Sequence, residues 1–156
     1  MNRSDATTSE LLRLDRQLCF ALHAASRAFD AVYRPLLRDL NLTYPQYLVM
    51  LVLWEHGPIT VKELGVILRL DSGTLSPLLK RMEAADLVHR ERTKSDERSV
   101  TVHLTAAGAA LQERALVVPP QILAATGLDP AVAGELLRSL DSITEAMDAA
   151  ARPVGV

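Results

Sequence analysis

Residues 70–105, LDSGTLSPLLKRMEAADLVHRERTKSDERSVTVHLT, constrain this chain more than any other stretch. Leu75, Leu78, Leu79 and Met82 recur at i, i+3, i+4 and i+7, the spacing of one buried helix face. Asp71 or Ser72 caps that helix, which should reach about Ala85. Two runs then alternate polar and apolar, at 87–92 and 99–104, as half-buried strands do. Their connection, TKSDER, is too polar to be buried. The outer face of the helix carries Gly73, Pro77, Lys80 and Ala84, flanked by Ser72, Thr74, Ser76 and Arg81. Small residues let a backbone approach a groove closely, and hydroxyls meet base edges or phosphates. A helix presented beside a charged β-ribbon therefore has the shape of a DNA reader. Pro77 lies well inside the helix and should bend it near its start.

The preceding residues supply the rest of such a reader. Thr60-Val61-Lys62-Glu63 has the form of a capping box and opens a short helix to Leu68. That helix and the next, joined by Arg69-Leu70-Asp71, make a helix-turn-helix. Thr43-Tyr44-Pro45-Gln46 is an earlier box of the same kind; the helix it opens is almost wholly apolar, reaches about Glu55 and stops at His56-Gly57-Pro58. Between residues 10 and 33, Leu11, Leu14, Leu18, Leu22, Ala25, Phe29 and Val32 form one continuous helical stripe. Pro35 ends it, or opens a short turn at 36–40. After the strands, Thr105 caps a helix to about Val118, which Pro119-Pro120 breaks or kinks. Asp129-Pro130 then opens a last amphipathic helix through Leu136, Leu137, Leu140, Ile143 and Met147. The expected fold is mainly α with a small β-hairpin wing, a winged helix-turn-helix enclosed by terminal helices.

The chain has 156 residues, 49% of them apolar, which suits one domain with a real core. No apolar run approaches the roughly 20 residues that cross a bilayer, and the first residues lack a signal-peptide core. A soluble, cytoplasmic protein is expected. Cys19 is the sole cysteine, so no intrachain disulfide can form. Net charge is −2 and would not by itself advertise nucleic acid as a partner. Its distribution has the right sense: residues 60–104 hold eight basic and seven acidic groups, residues 105–156 three and six. Individual cations must then carry any DNA contact. In the hairpin tip, Lys94 and Arg98 are the candidates, with Asp96 able to orient the Arg98 guanidinium in a narrow minor groove. A charge run alone usually just faces water; its place directly after a helix-turn-helix favours function.

A lone cysteine on an apolar helix is ordinarily a small core hydrophobe. Arg16 and His23 fall within one helical turn of Cys19 and would favour a thiolate there, while Asp15 would oppose it. Cys19 and His23 could supply half a metal site, but His56, His89 and His103 are scattered. No metal or other cofactor is expected. Nucleophilic triads, phosphate-binding Gly loops and paired carboxylates are not evident, so an enzyme is not expected either.

LTYPQYLVMLVLWEHGPITVKELGVILRLDSGTLSPLLKRMEAADLVHRER, DERSVTVHLTAAG and LDRQLCFALHAASRAF together resemble the MarR superfamily of winged-helix repressors, and more narrowly its organic-hydroperoxide-sensing OhrR branch. The resemblance covers about residues 11–125. It implies a single MarR-like domain acting as a homodimer, with residues 10–42 and 105–150 as dimerisation helices and residues 43–104 as the DNA-binding lobe. It implies recognition helices in successive major grooves of a pseudopalindromic operator and wings in the flanking minor grooves. It further implies that hydroperoxide oxidises Cys19 and releases the DNA, the sensing sulfur being held by Tyr33 and Tyr44. A third tyrosine of the family, one turn after the cysteine, is His23 here. With no second cysteine, oxidised Cys19 would form a mixed disulfide with a small thiol, a sulfenamide or over-oxidised acids. Cys19 and Tyr33 stand 14 residues apart on one expected helix, about 21 Å, so any contact between them must cross subunits. Two other readings stay open: a repressor released by a small aromatic ligand, with Cys19 structural, and a stand-alone thiol peroxidase.

Overall fold

Helix caps decide where most elements of this chain begin. The computed structural model describes residues 10–93 and 96–152, the side chains of Thr93, Asp96, Glu97 and Arg98 excepted. These residues form two compact units, one ending at Val118 and the other starting at Pro119.

In the first unit a single 3-10 turn, Leu14–Arg16, precedes α1, Leu18–Arg38. The expected stripe from residue 10 is thus not one helix. Gln17 takes extended dihedrals, and its side-chain amide donates to the carbonyls of Leu11 at 2.8 Å and Arg13 at 3.0 Å. Such local side-chain bonds compete with the helix ladder. Downstream the correction runs the other way: α1 continues through Pro35, and residues 36–40 form no separate helix. A proline in a helix interior costs about 3 kcal/mol. Burial of Leu37, Leu40 and Leu42 lies just beyond it and offsets that cost, at roughly 1.5–3 kcal/mol per leucine. Asn41, at φ 55°, ends the helix, and the Leu42 N–H returns to the Leu37 carbonyl at 2.9 Å.

Helix α2, Tyr44–His56, opens with the Thr43 N–H donating to Gln46 Oε1 at 2.8 Å and ends at Gly57, φ 72°. Tyr47, Val49, Met50, Val52 and Leu53 of α2 are buried, as its apolar run requires. Strand β1, Ile59–Thr60, was not foreseen: two residues are too short to show alternation. Thr60 then caps α3, Val61–Leu68, its hydroxyl accepting from the Glu63 N–H at 3.2 Å. Asp71 caps α4, Ser72–Ala84, accepting from the Thr74 N–H at 2.9 Å. Strands β2, Val88–Thr93, and β3, Asp96–Leu104, follow, in an antiparallel sheet of order β1-β3-β2. Ile59 pairs with Val102, and Arg90 with the same residue from the other side. The wing is therefore three-stranded at its base, and its hairpin pairs as far as Thr93 and Asp96.

Thr105 caps α5, Ala106–Ala115, with its hydroxyl accepting from the Gly108 N–H at 3.0 Å. The core of this unit gathers Leu37, Tyr47, Met50, Leu53, Leu64, Leu75, Leu79, Met82, Val88 and Val102, all at most 2% exposed. The Arg114 guanidinium ties α5 to the end of α1, donating to the Asp39 carbonyl at 2.6 Å.

Helix α6, Val118–Thr126, begins at the boundary between the units. The break expected at Pro119-Pro120 falls earlier, at Leu116 and Val117. Both prolines sit in the first turn of α6, where missing N–H groups cost nothing. In the second unit, Asp129 caps α7, Pro130–Ala151, accepting from the Ala131 N–H at 2.8 Å. No residue of α7 is buried. No single helix among the described residues is long and apolar enough to cross a membrane.

Candidate nucleic-acid interface and redox centre

The candidate recognition surface follows from how α4 is seated. Leu75, Leu78, Leu79 and Met82 are at most 3% exposed, which turns Ser72, Gly73, Thr74, Ser76, Pro77, Lys80 and Arg81 outward, all exposed. Two of these also serve the cap. The Thr74 hydroxyl donates to Asp71 Oδ2 at 3.1 Å, leaving its lone pairs for an outside donor. A Cβ on Gly73 would meet Asp71 Oδ1 at 3.0 Å, so the glycine makes room for the cap. These bonds to Thr74 hold the Asp71 carboxylate below its ordinary range. Pro77 lies inside α4 as expected, and the helix continues seven residues beyond it.

On the wing, Lys94 lies outside the described residues. Asp96 and Arg98 belong to β3, and their side chains lie outside the description, as does the bond expected between them. The wing's base is bonded to α4. Glu83 of α4 accepts from the Arg90 backbone N–H at 2.9 Å and from Arg90 Nε at 2.8 Å. His89 and His103, paired across β2 and β3, stack at 4.9 Å between ring centroids.

The redox candidates divide into two groups. Cys19 is exposed in the first turn of α1, with His23 one turn on and also exposed. Its expected charged neighbours are engaged elsewhere. Arg16 lies in the 3-10 turn and pairs with Glu10 at 3.5 Å, while Asp15 pairs with Arg13 at 2.6 Å. The chain breaks helix at Gln17, which separates all four from the helical turn of Cys19.

Tyr33 and Tyr44 form the second group, brought together by the packing of α1 on α2. Their ring centroids lie 4.7 Å apart. Burial, then Tyr44 and Tyr47, push the Tyr33 phenol up to about 12. Burial and Asp30 raise the Tyr44 phenol, and burial and Tyr44 raise that of Tyr47. All three stay protonated near neutral pH, as hydrogen-bond donors. Tyr47 was missed as a member of this cluster: it is 2% exposed and stands 6.0 Å from the Tyr33 ring. Its spacing of three from Tyr44 was the available signal, hidden in a run read simply as core. Cys19 is not among these rings. It shares the unbroken α1 with Tyr33, and 14 helical residues span about 21 Å.

Beside Tyr44 opens a cleft of about 680 Å³, lined among others by Asp30, Arg34, Arg38, Leu42 and Pro45.

Comparison with known proteins identifies the family. Residues 31–114 match the family described as "Transcriptional regulator SarA/Rot". The organic hydroperoxide resistance transcriptional regulator of Bacillus subtilis (strain 168) is 52% identical over 131 residues, covering 84% of this chain and 86% of the relative. Reduced AbfR bound to DNA, and overoxidized AbfR bound to DNA, from the Staphylococcus epidermidis protein, each align with a TM-score of 0.73 at 36% identity, over 90% of this chain and 98% of theirs. A cysteine-to-serine mutant of Escherichia coli MarR complexed with operator DNA aligns at 0.74 and 26% identity, over 86% of this chain and 95% of its own. These are regulators, not enzymes. The chain belongs to the MarR family of winged-helix transcriptional regulators, alongside the organic hydroperoxide resistance regulators.

Proposed function

We propose that the chain is a cytoplasmic, homodimeric repressor that binds a pseudopalindromic double-stranded operator and releases it when an organic hydroperoxide oxidises Cys19. Helices α1 and α7 would form the dimer, and residues 43–104 would read DNA. The observation that carries the sensing half is the separation of Cys19 from Tyr33 on one continuous helix. Only a second copy can bring the two together, so dimerisation becomes part of the chemistry. The exposed Leu18, Phe20, Leu22, Phe29 and Val32 on α1, and Leu136, Leu137 and Met147 on α7, support such a partner.

In the reaction, the sulfur anion of Cys19 attacks the distal peroxide oxygen. An S–O bond forms, the O–O bond breaks, sulfur loses two electrons and the peroxide leaves as an alcohol after taking a proton. Tyr33 and Tyr44 of the partner subunit, as protonated phenols, hydrogen-bond the sulfur and its oxide. The sulfenic acid then condenses with a small thiol, losing water and leaving a mixed disulfide. That AbfR is found on DNA when reduced and when overoxidized favours the bulk of such a disulfide, over charge alone, as the releasing event. Bulk at the tyrosines re-packs α1 against its partner and changes the spacing of the two α4 helices.

Anisotropy of a labelled duplex, selected from random sequence by the reduced protein, tests this with wild type and Cys19→Ser. Cumene hydroperoxide with cysteine should release only the wild type. Release of the serine variant sinks the thiol switch, and retention of wild type despite a mixed disulfide seen by mass spectrometry removes redox control.

The cleft beside Tyr44, with Arg34 and Arg38 on its wall, supports a second reading, release by a small aromatic anion. That reading requires the same release from Cys19→Ser by ligand without peroxide.

A further inference from the structure

The turn between α4 and β2 is a corner bridged by one carboxylate. Asp86 takes φ 55°, and the Leu87 N–H returns to the Met82 carbonyl at 3.0 Å, so helix and strand meet at an abrupt corner. Glu83 and Arg90 stand on either side of that corner. Glu83 Oε1 accepts from the Arg90 backbone N–H, and Oε2 accepts from Nε and Nη2 of its guanidinium. Both side chains are partly exposed, at 29% and 31%, and the bonds between them are charge-assisted. Arg90 lies opposite Val102, which is 0% exposed, so the clamp grips the wing at its buried base.

We propose that Glu83 is a positioning residue for DNA reading, fixing the angle between the recognition helix and the wing so that both meet their grooves together. The proposal rests on the DNA-binding reading above. A carboxylate is a poor neighbour for phosphate, and Glu83 spends both oxygens on Arg90, so its contribution is geometric. The lever is long: from Leu87 to Thr93 a strand rises about 20 Å, and a swing of about 10° moves its end by about 3.5 Å. That displacement exceeds the tolerance of a hydrogen bond to a base or phosphate. Sequence reasoning missed the pair because seven residues and a corner separate its members.

Two measurements test the clamp, both in a Cys19→Ser background after thermal melting shows that each variant is folded. Spin labels on Ser76→Cys and Arg92→Cys, diluted with unlabelled subunits, report the helix-to-wing distance in free protein. The distribution should be narrow with Glu83 and clearly broadened by Glu83→Gln. Operator affinity is then compared for Arg98→Ala with and without Glu83→Gln. With Glu83 present, Arg98→Ala should weaken binding about 5- to 150-fold. In the Glu83→Gln background, with the tip already displaced, the loss should shrink to less than about threefold. An unbroadened distribution, or an equal Arg98→Ala factor in both backgrounds, overturns the proposal. Broadening with no Arg98→Ala effect in either background removes the wing from DNA reading, and the positioning role with it, while leaving the clamp itself.

Discussion

Gly108→Ala should destabilise this protein, although helix propensity argues the opposite. An alanine in the first turns of α5 gains about 1 kcal/mol over glycine in intrinsic helix preference. Against that, a Cβ at Gly108 would stand 2.1 Å from the Leu87 carbonyl oxygen and 3.1 Å from its carbon. The obstacle is backbone, and it is held. The Leu87 carbonyl accepts from the Thr105 N–H at 3.1 Å, the Leu87 N–H donates to Met82 at 3.0 Å, and the Thr105 hydroxyl donates to the Asp86 carbonyl. Gly108 itself is fixed by the Trp54 indole N–H, which donates to its carbonyl at 3.0 Å. Relieving the contact needs a shift of about 1 Å, which strains packing by about 1–3 kcal/mol and breaks the Thr105–Leu87 bond at about 1–3 kcal/mol. After the propensity gain is deducted, the net loss is about 1–5 kcal/mol. Urea denaturation at fixed protein concentration, followed by the fluorescence of the single tryptophan, measures it. Trp54 reports from the site itself. A midpoint equal to or above wild type would show that α5 and the α4–β2 corner slide freely, and the close-approach reasoning would be wrong.

Thr60→Ala removes a cap and should cost about 1 kcal/mol in the same denaturation; an unchanged midpoint would deny the capping box its role. The partner Glu63 carries a pH signature. Bonds from the Thr60 hydroxyl and N–H hold its carboxyl below the usual carboxylate range, so its stabilisation is full above that range and is lost as pH falls through the lowered value. Glu63→Gln should therefore be less stable than wild type at neutral pH and converge with it in strong acid; a gap that widens on acidification would reverse the sign. Tyr33→Phe should leave the operator affinity of reduced protein unchanged. It should slow Cys19 oxidation about 10- to 100-fold, the worth of one hydrogen bond to a charged group. Trapping of sulfenic acid against time measures this, and an unchanged rate would remove Tyr33 from the sensing site.

Local chemistry made much of the fold legible. Thr60 with Glu63, Asp71, Thr105 and Asp129-Pro130 each bond within a few residues, and the caps appear where the sequence places them. The inner face of α4 was equally plain, since its four apolar residues have one core to face. Errors came where a local rule met a competing one. Pro35 reads as a stop, yet burial of Leu37 carries α1 past it; Gln17 reads as a helix former, yet its amide folds back on two carbonyls. Nothing in Ile59–Thr60 reveals a strand, because the partner that makes it one, β3, meets it far along the chain at Thr101 and Val102. The candidate site divides similarly. Outward residues of α4 follow from its inward ones, whereas Tyr47 and the Glu83–Arg90 clamp depend on packing that the sequence does not order.

That packing also links the two halves of the proposed switch. Tyr33 touches Tyr44 and faces Tyr47; Tyr47 meets Trp54 edge-on, with centroids 6.4 Å apart; and Trp54 holds the Gly108 carbonyl beside Leu87, at the corner where α4 turns into the wing. A shift of α1 at Tyr33 thus has a contiguous route to the corner that Glu83 and Arg90 bridge. Contiguity alone is not coupling, and the indole hydrogen bond is where it can be tested. Trp54→Phe keeps an aromatic ring against Tyr47 but removes the N–H. If the route carries the signal, reduced Trp54→Phe should bind operator within about threefold of wild type. The ratio of reduced to oxidised affinity should fall by roughly 2- to 30-fold, the range of about 0.5–2 kcal/mol found for residues that modulate coupling. An undiminished ratio would place the signal in the dimer interface alone, with the wing following as a rigid part of each lobe.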